Sequence, residues 1–594
     1  MRQFFKFVLA TITGIIISSF IVIFLLVITI AGIVAGASKE KKAVVPNNGI
    51  LHLTFDQPIV ERTPNNPFRR YSFAEQVAGR FGDFMPKGFG SADLIKDIEN
   101  AATDTKIKGI FIDADVVPAG VASIEEIRNA LINFKKSGKF IYAYAENLNQ
   151  GCYYLVSVAD KVYLNPQGTM IWKGLSAQIM FYKGALDKLD VQVQVMRHGK
   201  FKSFTEPFMY EKMSAANRLQ TQTWIGSIWN NMLKGIGQQR KISEQTLNDL
   251  ADQLTIHTPE DAVTNKLVDG LKYRDEVTEE LEKKIGLEKN KTINWVSPEE
   301  YLSSINKSLG SHDKIAVIYA TGNITGGQGD DQTIGSERLS AAIREARKDS
   351  AVKAIVLRIN SPGGSALASD VIWRETILAQ KVKPLIVSMG DVAASGGYYI
   401  ACAADKIYAQ PNTITGSIGV FGLIPNVQKM FANKFGITID TVNSNKHADA
   451  GGIFRGLTPL EADFAQDMVE HIYSDFITKV AQGRHKTPAE IDSIAQGRVW
   501  SGTDAKRIGL VDELGGLNDA IAAAVKKAQL KNYKIETLPQ QEDFIKQLTK
   551  ELGGAQERML TEKLGQSYTY FNYVNNLVNI KGVQARMPYD VVLY

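Results

Sequence analysis

The segment Gly151-Cys-Tyr-Tyr-Leu-Val-Ser-Val-Ala-Asp-Lys-Val-Tyr-Leu-Asn-Pro166 returns, nearly residue for residue, as Gly396-Gly-Tyr-Tyr-Ile-Ala-Cys-Ala-Ala-Asp-Lys-Ile-Tyr-Ala-Gln-Pro411, 245 positions later. A repeat this long is a duplicated domain, since solenoid units recur every 20–50 residues. The same offset joins Leu94-Ile-Lys-Asp-Ile-Glu-Asn-Ala to Leu339-Ser-Ala-Ala-Ile-Arg-Glu-Ala. Further on, Asp261–Asp269 aligns with Asp504–Asp512 at 243. The opening apolar runs Ile50–Leu53 and Ile315–Ile318 stand 265 apart, so the first copy carries an insertion in the Pro- and Arg-rich stretch between Asp56 and Gly90. The repeat divides the chain into a first domain over 43–300 and a second over 301–545, joined through the polar stretch Glu288–Asp313. Residues 1–42 precede them and an aromatic tail, 546–594, follows.

Each copy alternates apolar runs with helical periodicity. In the second, Ala354–Ile359 is a largely apolar, β-branched run stopped by Ser361-Pro-Gly-Gly364; Ser365–Gln380 is helical; Pro384–Ser388 is the next run. Gly390–Ala394 reads as a loop, Gly396–Ala404 as helix and Lys406–Ala409 as strand. Strands that are apolar on both faces, spaced by helices, form parallel βαβ units, so the fold class is α/β.

Composition removes several functions. The net charge is only +5 over 594 residues, which does not indicate a nucleic-acid partner. Two cysteines, Cys152 and Cys402, exclude a disulfide framework and a cysteine-rich metal site. The seven histidines are dispersed, and there is no His-Glu-x-x-His and no phosphate-binding Gly-rich loop ending in Lys-Ser or Lys-Thr. At the N-terminus, Arg2 and Lys6 precede a run without charge from Phe7 to Ala37, closed by Lys39, Glu40, Lys41 and Lys42. About 20 apolar residues span a bilayer, and a signal-peptide core needs only 7–15, so the run predicts a retained transmembrane anchor. With so short a tail before it, the rest of the chain lies on one side, expected to be the exported one.

Parallel sheets build sites beyond the carboxyl ends of their strands. Two segments of the second domain qualify. Ser361-Pro-Gly-Gly364 can turn backbone N–H groups toward a ligand. Asp391-Val-Ala-Ala-Ser395-Gly-Gly397 places a serine at a helix start, where the Gly396 N–H can face an oxyanion, although a tight turn built of small residues would read the same way. The repeat discriminates. Ser395 maps onto Gln150, so the first copy has the turn without a nucleophile. No His–Asp pair accompanies the serine, which points to a Ser–Lys arrangement. Two lysines, Lys200 and Lys202, end an apolar run in the first copy; position 202 maps onto His447, with Lys446 adjacent. A serine in one copy and a lysine in the other suit one composite site.

These residues resemble a known family. Asn360-Ser-Pro-Gly-Gly364, Ala394-Ser-Gly-Gly-Tyr-Tyr399, Ala404-Asp-Lys-Ile407, Thr415-Gly-Ser-Ile-Gly-Val420 and Lys202-Ser-Phe-Thr-Glu-Pro-Phe208 are similar to motifs of the signal peptide peptidase A (protease IV) family in its long, duplicated form. The resemblance implies two tandem crotonase-like, Clp-protease-like domains. It implies Ser395 as nucleophile and Lys202, rather than Lys200, as general base. It also implies oxyanion donors on Gly363 and Gly396, and Ser417 as the residue bonded to the lysine. Phe204 and Thr205 depart from the family, where smaller residues are expected. The implied activity is digestion of released signal peptides by a homotetramer at the outer face of the bacterial inner membrane, in contact with lipid, with neither metal nor cofactor. Two rivals remain: a coenzyme-A-dependent hydratase or isomerase on the same superfold, and a non-catalytic membrane scaffold.

Overall fold

The computed structural model of the chain describes residues 45–65, 88–288, 291–304, 311–543 and 582–587, with scattered positions between 3 and 21. Most of the expected anchor over 7–37 and most of the tail after 546 lie outside the described residues. Among the described residues, no helix is long and apolar enough to cross a membrane.

Two parallel sheets form the frame, and they repeat each other. In the first, Gly49–Leu53, Ile107–Asp113, Phe140–Leu148, Lys161–Met170 and Gly270–Leu271 are consecutive neighbours, all parallel. In the second, Lys314–Thr321, Val352–Ser361, Leu385–Ala394, Lys406–Ala409 and Glu513–Leu514 follow the same order. Ile110 and Ile112, like Ile355 and Val356, are fully buried, as expected of strands covered on both faces. The helices repeat too. Ser91–Thr103 and Val121–Lys135 correspond to Ser336–Lys348 and Ala366–Gln380, and the long Ala215–Arg240 corresponds to Pro459–Arg484. Helix starts are set locally. Ser365 Oγ accepts the Ala368 N–H, and Thr458 with Glu461 makes a capping box ahead of Pro459.

Two stretches differ from the expectation. Gly390–Ala394 is not a loop: the strand runs on through it to Ala394, because Ala393 pairs with Ser361 on one side and Thr415 on the other. These pairings are long-range, so the local excess of small residues does not reveal them. The joining stretch also carries structure. Asn294–Val296 adds to Gly49–Leu51 at the edge of the first sheet, and Pro298–Ser304 forms a helix.

A third, mixed sheet ties the halves together. Gln192–Arg197 of the first half runs antiparallel to Phe421–Asn426 of the second, from Arg197 opposite Phe421 to Gln192 opposite Asn426. A buried ionic cluster is a second tie. Arg358, on the strand leading to Ser361, donates to Glu61 at 2.7 Å and to Glu126 at 2.9 Å, both from the first half. The Asn360 side-chain amide also donates to Glu61, and its Oδ1 accepts the Val392 N–H, three residues before Ser395. Asp391 accepts from the N–H and hydroxyl of Ser123. Burial opposes the charge on Arg358, but Glu126 and Glu61 outweigh it and raise its pKa. Replacing Arg358 with Met should therefore lower stability by about 3–5 kcal/mol in urea unfolding, because two carboxylates lose their buried partner. Adding Glu61→Gln and Glu126→Gln should recover most of that loss.

Candidate active site

The carboxyl ends of Val352–Ser361 and Leu385–Ala394 lie side by side in the second sheet and deliver Gly363 and Ser395. Ser395 caps the helix Gly396–Ala401 with φ 55° and ψ −113°, a conformation sparsely occupied by any L-residue. It is held there because its N–H donates to Gly416 O at 2.8 Å while its carbonyl accepts the Tyr399 N–H at 2.8 Å. Ser417, also at positive φ, donates its N–H to Arg498 O.

Lys202 arrives from the other half. The pairing of Gln192–Arg197 with Phe421–Asn426 carries the chain across, and five residues later the lysine amine lies 2.9 Å from Ser395 Oγ, 3.0 Å from Ser417 O and 3.1 Å from Ser417 Oγ. Lys202, Ser395 and Ser417 are all fully buried. Among the described residues no carboxylate contacts this amine, and burial drives its pKa well below 10.5. A neutral amine fits its surroundings, since the three atoms it bonds, Ser395 Oγ, Ser417 O and Ser417 Oγ, are all uncharged oxygens. Lys200, by contrast, is exposed, its amine over the Phe201 ring.

Gly363 and Gly396 converge near this serine. A Cβ on Gly363, which has φ +97°, would fall 2.6 Å from the Gly396 nitrogen, so only glycine fits. The Gly363 N–H donates to Ser361 Oγ at 3.1 Å. All five expected positions are thus brought into one place.

The corresponding positions of the other copy have different work. Gln150 is buried, donating to Gly174 O and accepting from the N–H groups of Lys173 and Gly174. His447 is exposed and lies 2.7 Å from Glu461.

Sequence reasoning missed the parts that clamp the lysine segment. Gly497, at φ +82°, packs on the Lys202 backbone, where a Cβ would lie 2.6 Å from its Cα. Phe201 donates its N–H to Gln496 O, and Gln220 donates to Phe201 O and Ser203 Oγ while accepting the Val499 N–H. One signal was available. At the 244-residue offset of the preceding helices, Gly497 faces Gln253, a glycine present in one copy alone.

Comparison with known proteins places the chain in a family. The profile of peptidase family S49 matches residues 133–288 and again 377–531, and that of Clp protease matches 311–415. "Protease 4" of Salmonella typhi is 37% identical over 538 residues, covering 89% of this chain and 86% of that protein. "Serine protease SPPA, chloroplastic" of Arabidopsis thaliana is 34% identical over 527 residues, covering 87% and 76%. A "Putative signal peptide peptidase SppA" of Enterococcus faecium is 34% identical over 189 residues, 32% of this chain and 55% of its own length. With its duplicated S49 segments and full-length relatives of this kind, the chain belongs to peptidase family S49 and is a serine-type endopeptidase.

Proposed function

We propose that this endopeptidase works through a Ser–Lys dyad, Ser395 and Lys202, and degrades released signal peptides at the membrane surface. The observation that carries the dyad is the 2.9 Å approach of a wholly buried amine, unpaired with any carboxylate, to a serine hydroxyl at a strand-to-helix turn. Neutral Lys202 accepts the hydroxyl proton as Ser395 Oγ adds to the scissile carbonyl. The backbone N–H groups of Gly396 and Gly363 receive the oxyanion, the latter turning from Ser361 Oγ. Lys202 then protonates the departing amine and activates water for hydrolysis of the acyl-enzyme. Ser417 holds the amine toward Ser395 throughout.

Signal peptides as substrates are supported by the name of the Enterococcus relative and by the uncharged run Phe7–Ala37, which would keep the site beside a bilayer. Attachment to the inner membrane, with the two domains on the exported side, follows from the same run. Self-association into a homotetramer is supported by the family resemblance and by apolar side chains left exposed on the second half, Phe435, Val442 and Phe464 among them.

Three measurements test this reading. Ser395→Ala and Lys202→Met should each cut peptide turnover by roughly 10⁴-fold, with the double variant no worse, because the pair acts as a unit. Lys200→Met should keep most of the activity. A fluorophosphonate should label Ser395 in the wild type and not in Lys202→Met; a coenzyme-A enzyme or a scaffold would not be labelled.

The pH dependence has a definite sign. In the folded chain the amine stays neutral at pH values where the unfolded chain protonates it. Between the two pKa values the unfolded state binds one more proton, so stability rises with pH. Lys202→Met should raise the unfolding midpoint at pH 7 more than at pH 10. In the wild type, kcat/KM should climb with pH through one deprotonation lying well below 10.5. Finally, the intact mass of chain extracted from membranes should retain residues 7–37; a mature terminus at Ser38 would identify a cleaved signal instead.

A further inference from the structure

Three consecutive residues, Gln496-Gly497-Arg498, hold the two segments that converge on Ser395. Gln496 O accepts the Phe201 N–H at 3.0 Å, and Gly497 packs on the Lys202 backbone. Gly497 N–H donates to Ile418 O at 2.7 Å, and Arg498 O accepts the Ser417 N–H at 2.7 Å. The turn therefore sets the spacing between the lysine and the Ser417 groups that bond its amine. Gln496 stands at φ 54°, left-handed backbone that a residue other than glycine keeps only when its surroundings enforce it.

Tyr473 supplies that enforcement. It lies on the long helix Pro459–Arg484, and its side chain is buried. Its hydroxyl accepts the Gln496 N–H at 3.2 Å and donates to Asp492 Oδ1 at 2.5 Å, while the Gln496 side-chain amide donates to Asp492 Oδ2 at 3.3 Å. Burial and the bond to Asp492 both push the phenol's pKa up, so it stays a hydroxyl and keeps both bonds. The ring also stacks on His198 at 3.7 Å, at the other end of the lysine segment. His198 Nδ1 lies 2.5 Å from Glu470, and the Gln466 amide donates to Arg197 O and to Glu470. Gln466, Glu470 and Tyr473 stand at i, i+4 and i+7, so one face of the helix holds Arg197, His198 and the turn together.

The duplicate lacks this arrangement. At the 244-residue offset of the two long helices, Tyr473 corresponds to Trp229, Asp492 to Asn248 and Glu470 to Gly226. Trp229 Nε1 donates to Asn248 Oδ1 at 2.9 Å, repeating the bond from Tyr473 to Asp492. An indole only donates, whereas a phenol donates and accepts. The donor bond is common to both copies and serves the fold. The acceptor bond, to the Gln496 N–H, belongs to the second copy, where the turn meets Lys202. Resting on the Ser–Lys reading above, we propose that Tyr473 is a positioning residue for the base: through the turn 496–498 it fixes Lys202 against Ser417 and keeps the amine sealed from water. Loosening the turn would admit water to the amine and move its pKa back toward 10.5.

The test uses the full-length chain and compares Tyr473→Phe with Tyr301→Phe. Each removes one buried tyrosine hydroxyl bonded to a carboxylate; Tyr301, on the helix Pro298–Ser304, donates to Asp104 at 3.1 Å. Tyr473→Phe keeps the ring and should lower kcat roughly tenfold to a hundredfold at unchanged KM, the loss expected of a base displaced by up to about 1 Å. The rising limb of kcat/KM against pH should move to higher pH, and the pH dependence of fluorophosphonate labelling at Ser395 should move with it. Tyr301→Phe should lower the melting temperature by a similar amount and leave both profiles in place. Asp492→Ala, which frees the phenol to rotate from Gln496, should move the limb in the same direction as Tyr473→Phe. A limb that stays at the wild-type position in Tyr473→Phe or in Asp492→Ala overturns the proposal, whatever happens to kcat or stability. So does a limb that moves equally in Tyr301→Phe. Hydrogen exchange needs no turnover: the Gln496 and Phe201 amides should lose protection in Tyr473→Phe, and unchanged protection overturns the hold on the turn. If the wild type neither cleaves peptides nor labels at Ser395, the Ser–Lys reading fails by itself, and exchange still decides whether Tyr473 holds the turn.

Discussion

The site depends on one antiparallel pairing, that of Gln192–Arg197 with Phe421–Asn426. Each parallel sheet is built from one half, and neither by itself brings Lys202 to Ser395. The pairing sets a register between residues more than 200 positions apart. A slip of one residue would turn each side chain to the opposite face of that sheet and alter the approach of Lys202 to Ser395. The second tie, Arg358 with Glu61 and Glu126, acts on the strand that ends at the Ser361-Pro-Gly-Gly turn, so both ties converge on the same few residues.

Burial does the chemical work at the lysine. An ammonium removed from water without a counter-ion is unfavourable by several kcal/mol, and deprotonation relieves that cost. A carboxylate beside Lys202 would stabilise the ammonium and rule out the base role proposed for it. The groups offered instead are hydroxyls and a backbone carbonyl, which bond a neutral amine without demanding charge. Strain accompanies the arrangement. Ser395 and Ser417 both sit at positive φ, and both are locked by backbone bonds to neighbouring strands and loops.

Duplication did not leave the two halves alike at these positions. At the turn equivalent to Ser395, Gln150 spends its amide on the backbone of residues 173 and 174 and closes the turn as structure. Around the position equivalent to Lys202, His447 joins a surface cluster with Glu461. On the proposed dyad, each copy carries one of the two reacting side chains and holds a structural residue at the position of the other.

Much of this was legible in the linear chain. The repeat, the α/β class and the candidates Ser395, Gly396 and the Gly363 turn are signals carried by the chain itself: a fixed offset, a periodicity, a run of glycines. Choosing Lys202 over Lys200 from the residues alone was not possible, because both end the same apolar run and only burial separates them. The extension of the strand through Gly390–Ala394 and the clamp of Gly497 on the Lys202 backbone were also beyond it. These arise from contacts between segments distant in sequence, whose register and burial no local pattern encodes. The sequence by itself determined which chemical groups were available and on which elements they stood. The tertiary structure decided which of them meet out of water, because protonation state and reach depend on what packs around a group and not on what precedes it in the chain.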